Sequence, residues 1–214
     1  VEFVDIAGLV AGASKGEGLG NKFLANIRNT NAIIHVLRCF ENDNITHVDG
    51  SIDPVRDKGI IDTELQLKDL ETIENRLAKT QKQAVVGGDK QAKRAVEILL
   101  QYKAVLEQGL SARTVELEKE DRKLVADLNL LTDKPVLYVC NVDEKSAVTG
   151  NEHTRAVEAA IADERAEMLI VAAATEADIA ELDEYEERQM FLEEIGLKES
   201  GVARLIKAAY KLLD

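Results

Sequence analysis

Short apolar runs alternate with helical patterns along most of the chain. The apolar runs contain β-branched residues and have the length of strands; they cover residues 1–7, 32–40, 136–140 and 168–172. Apolar residues at helical spacing predict helices between and after them, at 21–30, 117–131, 151–165, 183–195 and 201–213. Strands that are separated by helices predict an α/β fold with a mostly parallel sheet flanked by helices.

A different pattern interrupts this alternation between residues 62 and 109. Two long amphipathic stretches are separated by Gly87, Gly88 and Asp89, and the second ends at Gly109. Each carries a narrow apolar stripe among charged residues, as the seam of a coiled coil does. The pattern predicts an antiparallel α-helical hairpin inserted into the sheet domain. The polar stretch 41–60 before it is predicted to be a loop.

The composition is that of an ordinary globular protein with an acidic surface. The chain has 214 residues, 45% of them hydrophobic, and a formal net charge of −13. This charge argues against a general nucleic-acid or membrane surface, although a local basic patch remains compatible with it. Cys39 and Cys140 both lie in apolar runs and are predicted to be buried. Free thiols, with no signal peptide or membrane span in the sequence, indicate the cytoplasm.

The tip of the predicted hairpin is basic although the chain is acidic. Between residues 75 and 96 a single acidic residue, Asp89, accompanies six basic ones: Arg76, Lys79, Lys82, Lys90, Lys93 and Arg94. Such a cluster binds RNA phosphates or an acidic partner, or it is an ordinary solvated helix face. Both interpretations stay open at this point.

Other polar residues carry weaker signals. His35, His47 and His153 have no second histidine or cysteine at the spacing of metal ligands, which favours structural histidines over a metal site. The aspartates of the 41–60 stretch do not follow the calcium-loop pattern and are interpreted as loop and helix-capping residues.

Three predicted strands are followed by residues that are unusual for a loop that only joins a strand to a helix. They end in Asp5 followed by Gly8, in Asn141 followed by Glu144, and in the alanines 172–174. Because ligands of open parallel sheets bind beyond the carboxyl ends of the strands, these three ends together predict a ligand site.

The stretches that carry these residues resemble one known family. The sequence from Phe3 to Arg28, which includes Asp-Ile-Ala-Gly and a glycine-rich loop, is similar to the YchF/Obg-like ATPases, which are translation-associated P-loop NTPases. The stretch Lys134 to Glu144 and the stretch Ile179 to Asp183 are similar to the same family. The resemblance implies a nucleotidase fold in two parts, residues 1–61 and 110–214, separated by the hairpin 62–109.

The resemblance also implies roles for individual residues. Asp5 and Gly8 match the switch II element, in which Asp5 holds Mg²⁺ through water and the Gly8 N–H meets the terminal phosphate. Asn141, Val142 and Glu144 match the base-recognition motif, and the backbone of Ala172, Ala173 and Ala174 faces the base. Glu144 stands where most GTPases have aspartate, so guanine selectivity is expected to weaken and ATP to be preferred. The implied partner is the ribosome or its RNA, bound through the hairpin by a monomer.

Two departures from a complete nucleotidase bear on activity. Leu9 stands where many relatives of Ras have a glutamine that orients water, so intrinsic hydrolysis is expected to be slow. No Gly-x-x-x-x-Gly-Lys-Ser/Thr motif occurs in these residues. The chain is therefore expected to be a piece of a longer protein, without its P-loop and its C-terminal TGS domain, and inactive by itself. The alternatives are a non-catalytic RNA- or protein-binding module that uses the hairpin tip, and an unrelated flavodoxin-like domain.

Overall fold

A computed structural model describes residues 1–6, 19–45, 50–86 and 89–213, with side chains from residue 22 in the second range and up to residue 85 in the third. The chain divides into two compact units. Unit 1 comprises residues 1–3, 32–58 and 135–214, and unit 2 comprises residues 4–31 and 59–134. The helices are α1 (Leu19–Arg28), α2 (Pro54–Val86), α3 (Lys90–Glu107), α4 (Lys119–Lys123), α5 (Glu152–Ile161), α6 (Ala173–Ala180), α7 (Tyr185–Glu194) and α8 (Gly201–Leu213).

A three-stranded parallel sheet forms the centre of unit 1. Its strands are β1 (Ile33–Arg38), β2 (Val136–Asn141) and β3 (Glu167–Val171), in the order β1-β2-β3. Ile33 is aligned with Val136 in the first pair and Leu137 with Glu167 in the second. The parallel sheet and three of the four predicted strands are confirmed.

The core of unit 1 is the apolar side of this sheet. Tyr138, Cys140 and Val157 of α5 are all fully buried in it. Both cysteines are free and buried, as predicted. A hydrogen bond between the two thiols, together with burial, raises the pKa of Cys39.

The core of unit 2 lies between the two long helices. Ile73 and Leu77 of α2 pack with Ile98, Leu99 and Tyr102 of α3. The helices run antiparallel: the side chain of Lys103 reaches Glu74 at 2.7 Å, and Gln66 Nε2 donates to the carbonyl of Gly109 at 2.9 Å. Asp89, one of the predicted breakers, caps α3 by accepting a hydrogen bond from the backbone N–H of Gln91 at 2.8 Å. The helical hairpin is thus confirmed.

Residues 1–6 do not form the predicted strand. They have irregular backbone, their first five residues are exposed, and none of the backbone hydrogen bonds of the described residues involves them. An apolar run becomes a strand only where a neighbouring strand pairs with its backbone. The prediction of a strand at residues 1–7 is therefore wrong for residues 1–6, whereas the bounds of the first domain part stay a prediction.

Two helix predictions also need correction. The loop predicted for 41–60 ends early, because α2 begins at Pro54, where proline suits the first helical position, and Asp53 caps it by accepting from the N–H of Arg56 at 2.9 Å. The single helix predicted for 117–131 is broken into α4 and a 3₁₀ turn, Ala126–Leu128. The turn is followed by Asn129, whose positive φ of 46° stops any helix.

Among the described residues, no helix is long and apolar enough to cross a membrane.

Candidate functional site

Two of the predicted strand ends are joined in unit 1. The Asn141 side chain, at the end of β2, accepts a hydrogen bond through its Oδ1 from the backbone N–H of Ala173, at 3.0 Å. The next residue, Val142, donates its N–H to the carbonyl of Val171 at 2.9 Å and is buried. These bonds hold the ends of β2 and β3 at one edge of the sheet, where parallel strands present a ligand-binding crevice.

The alanines 172–174 lie at the change from strand to helix. Ala172 is buried and precedes the first residue of α6, whereas Ala173 and Ala174 are exposed. Methyl side chains leave the backbone of this turn open to a flat ligand. The Ala173 N–H is already used by Asn141, which fixes the path of the turn without occupying its outer face.

The two acidic residues after Asn141 have different surroundings. The Asp143 carboxylate accepts a hydrogen bond from the backbone N–H of Ser146 at 3.0 Å and so caps a 3₁₀ turn, Glu144–Ser146. The Glu144 side chain is exposed and makes no hydrogen bond or ion pair with any other described residue. Of the two, Glu144 is thus the carboxylate that remains available to a ligand.

The structure adds Arg38 and Asn151 to this edge of the sheet. Arg38, at the end of β1, donates to the carbonyls of Phe40, Asn42 and Ile45 at 3.0–3.2 Å and lies over the Phe40 ring. Asn151 Nδ2 donates to the carbonyl of Cys39 at 2.7 Å and its Oδ1 caps α5. Sequence reasoning missed both, although an arginine that ends an apolar run is a signal that could have been used.

The residues predicted to form switch II belong to unit 2 or lie outside the described ranges. Asp5 is exposed in unit 2 and has no polar contact with other residues that the structure describes. Gly8 and Leu9 lie outside the described residues. Within the described part of the chain no group of three metal-ligating side chains occurs. A single free carboxylate nevertheless suits Mg²⁺, because this ion keeps several waters and takes one or two protein carboxylates beside phosphate oxygens.

The basic residues of the hairpin fall into two groups. Arg94 is held by Asp121 at 2.6 Å and by Glu97, and Arg76 is held by Asp127 at 2.8 Å. The other four are exposed and have no partner among the described residues: Lys79, Lys82, Lys90 and Lys93. Two of the six cations therefore serve contacts within unit 2, and four are available at its surface.

The histidines of the described ranges have structural neighbours. The His35 ring lies 5.5 Å from the ring of Tyr138, and His153 Nε2 lies 3.4 Å from a carboxylate oxygen of Glu41. His47 lies outside the described residues. These contacts agree with the structural interpretation of His35 and His153.

Comparison with known proteins connects these features to one family. A family model described as "50S ribosome-binding GTPase" matches residues 1–86. The ribosome-binding ATPase YchF of Bacillus subtilis is 52% identical to this chain over 214 residues, and that of Haemophilus influenzae is 50% identical. The matches cover 99% and 100% of this chain, but the chain spans only 58% of the length of either relative.

A solved structure agrees with the sequence matches. The structure of the Schizosaccharomyces pombe YchF GTPase superimposes with a TM-score of 0.81 and 30% sequence identity, covering 97% of this chain and 57% of that one. The likeness therefore extends to the inserted hairpin as well as to the sheet. Matched over 97–100% of its length in sequence and in fold, this chain is homologous to the corresponding part of the YchF proteins.

Proposed function

We propose that this chain is the nucleotide-binding core of a ribosome-associated ATPase that hydrolyses ATP, or GTP with lower preference, as a conformational switch. The observation that carries the proposal is the hydrogen bond between Asn141 and the Ala173 N–H, which joins two sequence motifs at the crevice edge of a parallel sheet. The names of the relatives, ribosome-binding ATPase and GTPase, agree with it.

In this proposal Asn141, Val142 and Glu144 hold the base, and the backbone of 172–174 lies against it. A glutamate carboxylate reaches one methylene further than the aspartate of guanine-specific sites, so Glu144 misplaces the acceptor that guanine requires. Isothermal titration of the intact protein with ATP and GTP tests the preference. Glu144→Asp should shift the affinity ratio toward GTP by about tenfold, while Glu158→Asp, an exposed glutamate of α5, should leave it unchanged. An unchanged ratio in Glu144→Asp would remove Glu144 as the selector.

Asp5 and Gly8 are proposed to act at the phosphate end. When bound, Mg²⁺ supplies charge neutralisation to the phosphate oxygens, and Asp5 is the carboxylate of this chain that would hold it through water. The Gly8 N–H is proposed to sense the terminal phosphate. Because residues 1–214 contain no Gly-x-x-x-x-Gly-Lys-Ser/Thr motif, we propose that these residues alone turn over no nucleotide and that hydrolysis requires the intact protein. Asp5→Asn should lower the turnover of the intact protein and its dependence on Mg²⁺ concentration.

The hairpin tip is proposed to contact the ribosome through Lys79, Lys82, Lys90 and Lys93. Their exposed, unpaired ammonium groups suit the phosphates of ribosomal RNA, whereas Arg94 already belongs to an ion-pair network. Changing all four lysines to glutamate should weaken co-sedimentation of the intact protein with ribosomes at least tenfold. The same change at four exposed lysines elsewhere, Lys22, Lys119, Lys145 and Lys198, is the matched control.

A second candidate is a non-catalytic RNA- or protein-binding module, which the same four unpaired lysines favour. It predicts ribosome binding that is indifferent to ATP and GTP and an intact protein that binds neither in the titration. The first proposal predicts saturable nucleotide binding by a monomer in the cytoplasm.

A further inference from the structure

The C-terminal end of α1 is tied to the base of the hairpin by side chains from three segments of unit 2. Arg28, the last residue of α1, donates from one guanidinium nitrogen to the carbonyl of Leu128 at 3.0 Å and from the other to Thr72 Oγ1 on α2, at 3.4 Å. Lys134 Nζ donates to the carbonyls of Arg28 at 3.1 Å and Thr30 at 2.5 Å. We call this group the α1 anchor.

The anchor also reaches a buried carboxylate of α2. Asp69 has no exposed surface and accepts hydrogen bonds from the N–H of Leu131, the N–H of Thr132 and the Thr132 hydroxyl, all at 2.7–2.8 Å. It fixes on α2 the same segment, 128–134, that holds α1. The charge of Arg28 favours the ionised form of Asp69, although burial has the larger effect and raises the pKa of Asp69.

These contacts restrict both the position and the direction of α1. The Lys134 ammonium bonds the carbonyl of Arg28, the last residue of the helix, and that of Thr30 just beyond it, where a cation is favourable to the helix dipole. The two arms of the Arg28 guanidinium lead to different segments, so α1 cannot shift or rotate without breaking one of them or moving the hairpin with it. Arg28 and Leu128 are 100 positions apart in sequence, which makes the link a tertiary one.

We propose that Arg28 is a positioning residue that transmits the nucleotide state from the Asp5–Gly8 element to the hairpin. In sequence, α1 is the first helix that the structure describes after that element, and residues 4–31 belong to the same compact unit as the hairpin. A change at the element that displaces α1 therefore acts on α2 and on the segment 128–134 through the anchor. The inference rests on the proposed nucleotide switch and names how that switch reaches the ribosome-facing helices.

Hydrogen exchange of the intact protein, with and without a non-hydrolysable ATP analogue, tests the link. In the unaltered protein the analogue should slow exchange both in peptides around 136–144 and in hairpin peptides of α2 and α3. Arg28→Ala should keep the affinity for the analogue within about threefold and keep the protection at 136–144. In this variant the slowing of exchange that the analogue causes in the hairpin peptides should fall to less than about a third of its size in the unaltered protein. Arg155→Ala, an exposed arginine on α5, is the matched control and should behave as the unaltered protein.

The outcomes distinguish the proposed role of Arg28 from the proposed nucleotide switch. A hairpin response that persists in Arg28→Ala overturns the inference and leaves the proposed function standing, as does bound analogue without any hairpin response in the unaltered protein. No binding of the analogue by the unaltered protein overturns both. If Arg28→Ala does not fold, Thr72→Val removes one partner of the guanidinium and keeps the side-chain shape; it should reduce the hairpin response at least twofold, and an undiminished response overturns the inference.

Discussion

The two units place their polar side chains in opposite ways. At the sheet edge of unit 1, the Asn141 side chain makes one neutral hydrogen bond and is half-buried, and the Glu144 side chain is exposed without a partner among the described residues. In unit 2, Asp69 is fully buried and accepts three hydrogen bonds. The side chains that we propose to bind a ligand are left accessible, whereas the carboxylate that holds distant segments together is enclosed and fully bonded. This difference predicts which substitutions affect folding and which affect binding.

The largest effect on stability is expected for the buried carboxylate, Asp69. Asp69→Ala leaves the N–H groups of Leu131 and Thr132 buried without an acceptor and should lower the free energy of unfolding by about 3 kcal/mol. Urea unfolding measures it. Glu71→Ala, which removes an exposed carboxylate paired with Lys68 on the same helix, should change it by less than about 0.5 kcal/mol. Equal effects of the two variants would contradict the distinction between buried and exposed carboxylates.

For the accessible side chain of Asn141 we expect a small effect on stability and a large effect on ligand affinity. Asn141→Ala removes one half-buried neutral hydrogen bond and should lower the free energy of unfolding by only about 1 kcal/mol. The affinity of the intact protein for ATP should nevertheless fall at least tenfold, because the base loses a partner and the 172–174 turn loses its tether. Urea unfolding and isothermal titration of the same variant give both values. A large loss of stability with unchanged affinity would make Asn141 a structural residue.

A smaller effect of opposite sign is expected in α2. Gly59 lies inside this helix, and a Cβ built on it meets no atom within 4 Å. Gly59→Ala should therefore raise the free energy of unfolding by about 0.5–1 kcal/mol, since alanine restricts the unfolded chain and favours the helix. Gly150→Ala is the contrasting control: its φ is positive and its Cβ would lie 2.3 Å from Thr154 Oγ1, so it should destabilise. A destabilising Gly59→Ala would show that the site needs glycine.

The smallest effect is expected at the ion pair between Arg94 of α3 and Asp121 of α4. Hydrogen bonds from Arg94 lower the pKa of Asp121 below its ordinary value of about 3.8. The pair therefore contributes stability that is present above about pH 4 and is lost as the pH falls through the lowered value. Asp121→Asn should be slightly less stable than the unaltered protein at pH 7, and this difference in stability should shrink as the pH falls below about 4. Urea midpoints across this range measure it, with Asp178→Asn as an exposed control.

Local pattern predicted the sheet edge well. β1, β2 and β3 coincide with apolar runs, and the residues that follow β2 and β3 are the ones that the sequence singled out. This succeeded because parallel strands place their carboxyl ends together whatever the details of packing. The apolar run at 1–6 failed for the complementary reason: a strand requires a partner, and hydrophobicity does not supply one.

The sequence by itself determined the alternation of strands and helices, the hairpin with its break at residues 87–89, and the motifs that carry the family likeness. Each of these depends on residues that are close in sequence and on periods that are fixed by backbone geometry. Only the tertiary structure decided that Arg94 is paired while Lys79 is not, and that Asp69 and Arg28 hold the segment 128–134. Those contacts join residues tens of positions apart, and their energy depends on burial, which no local pattern specifies.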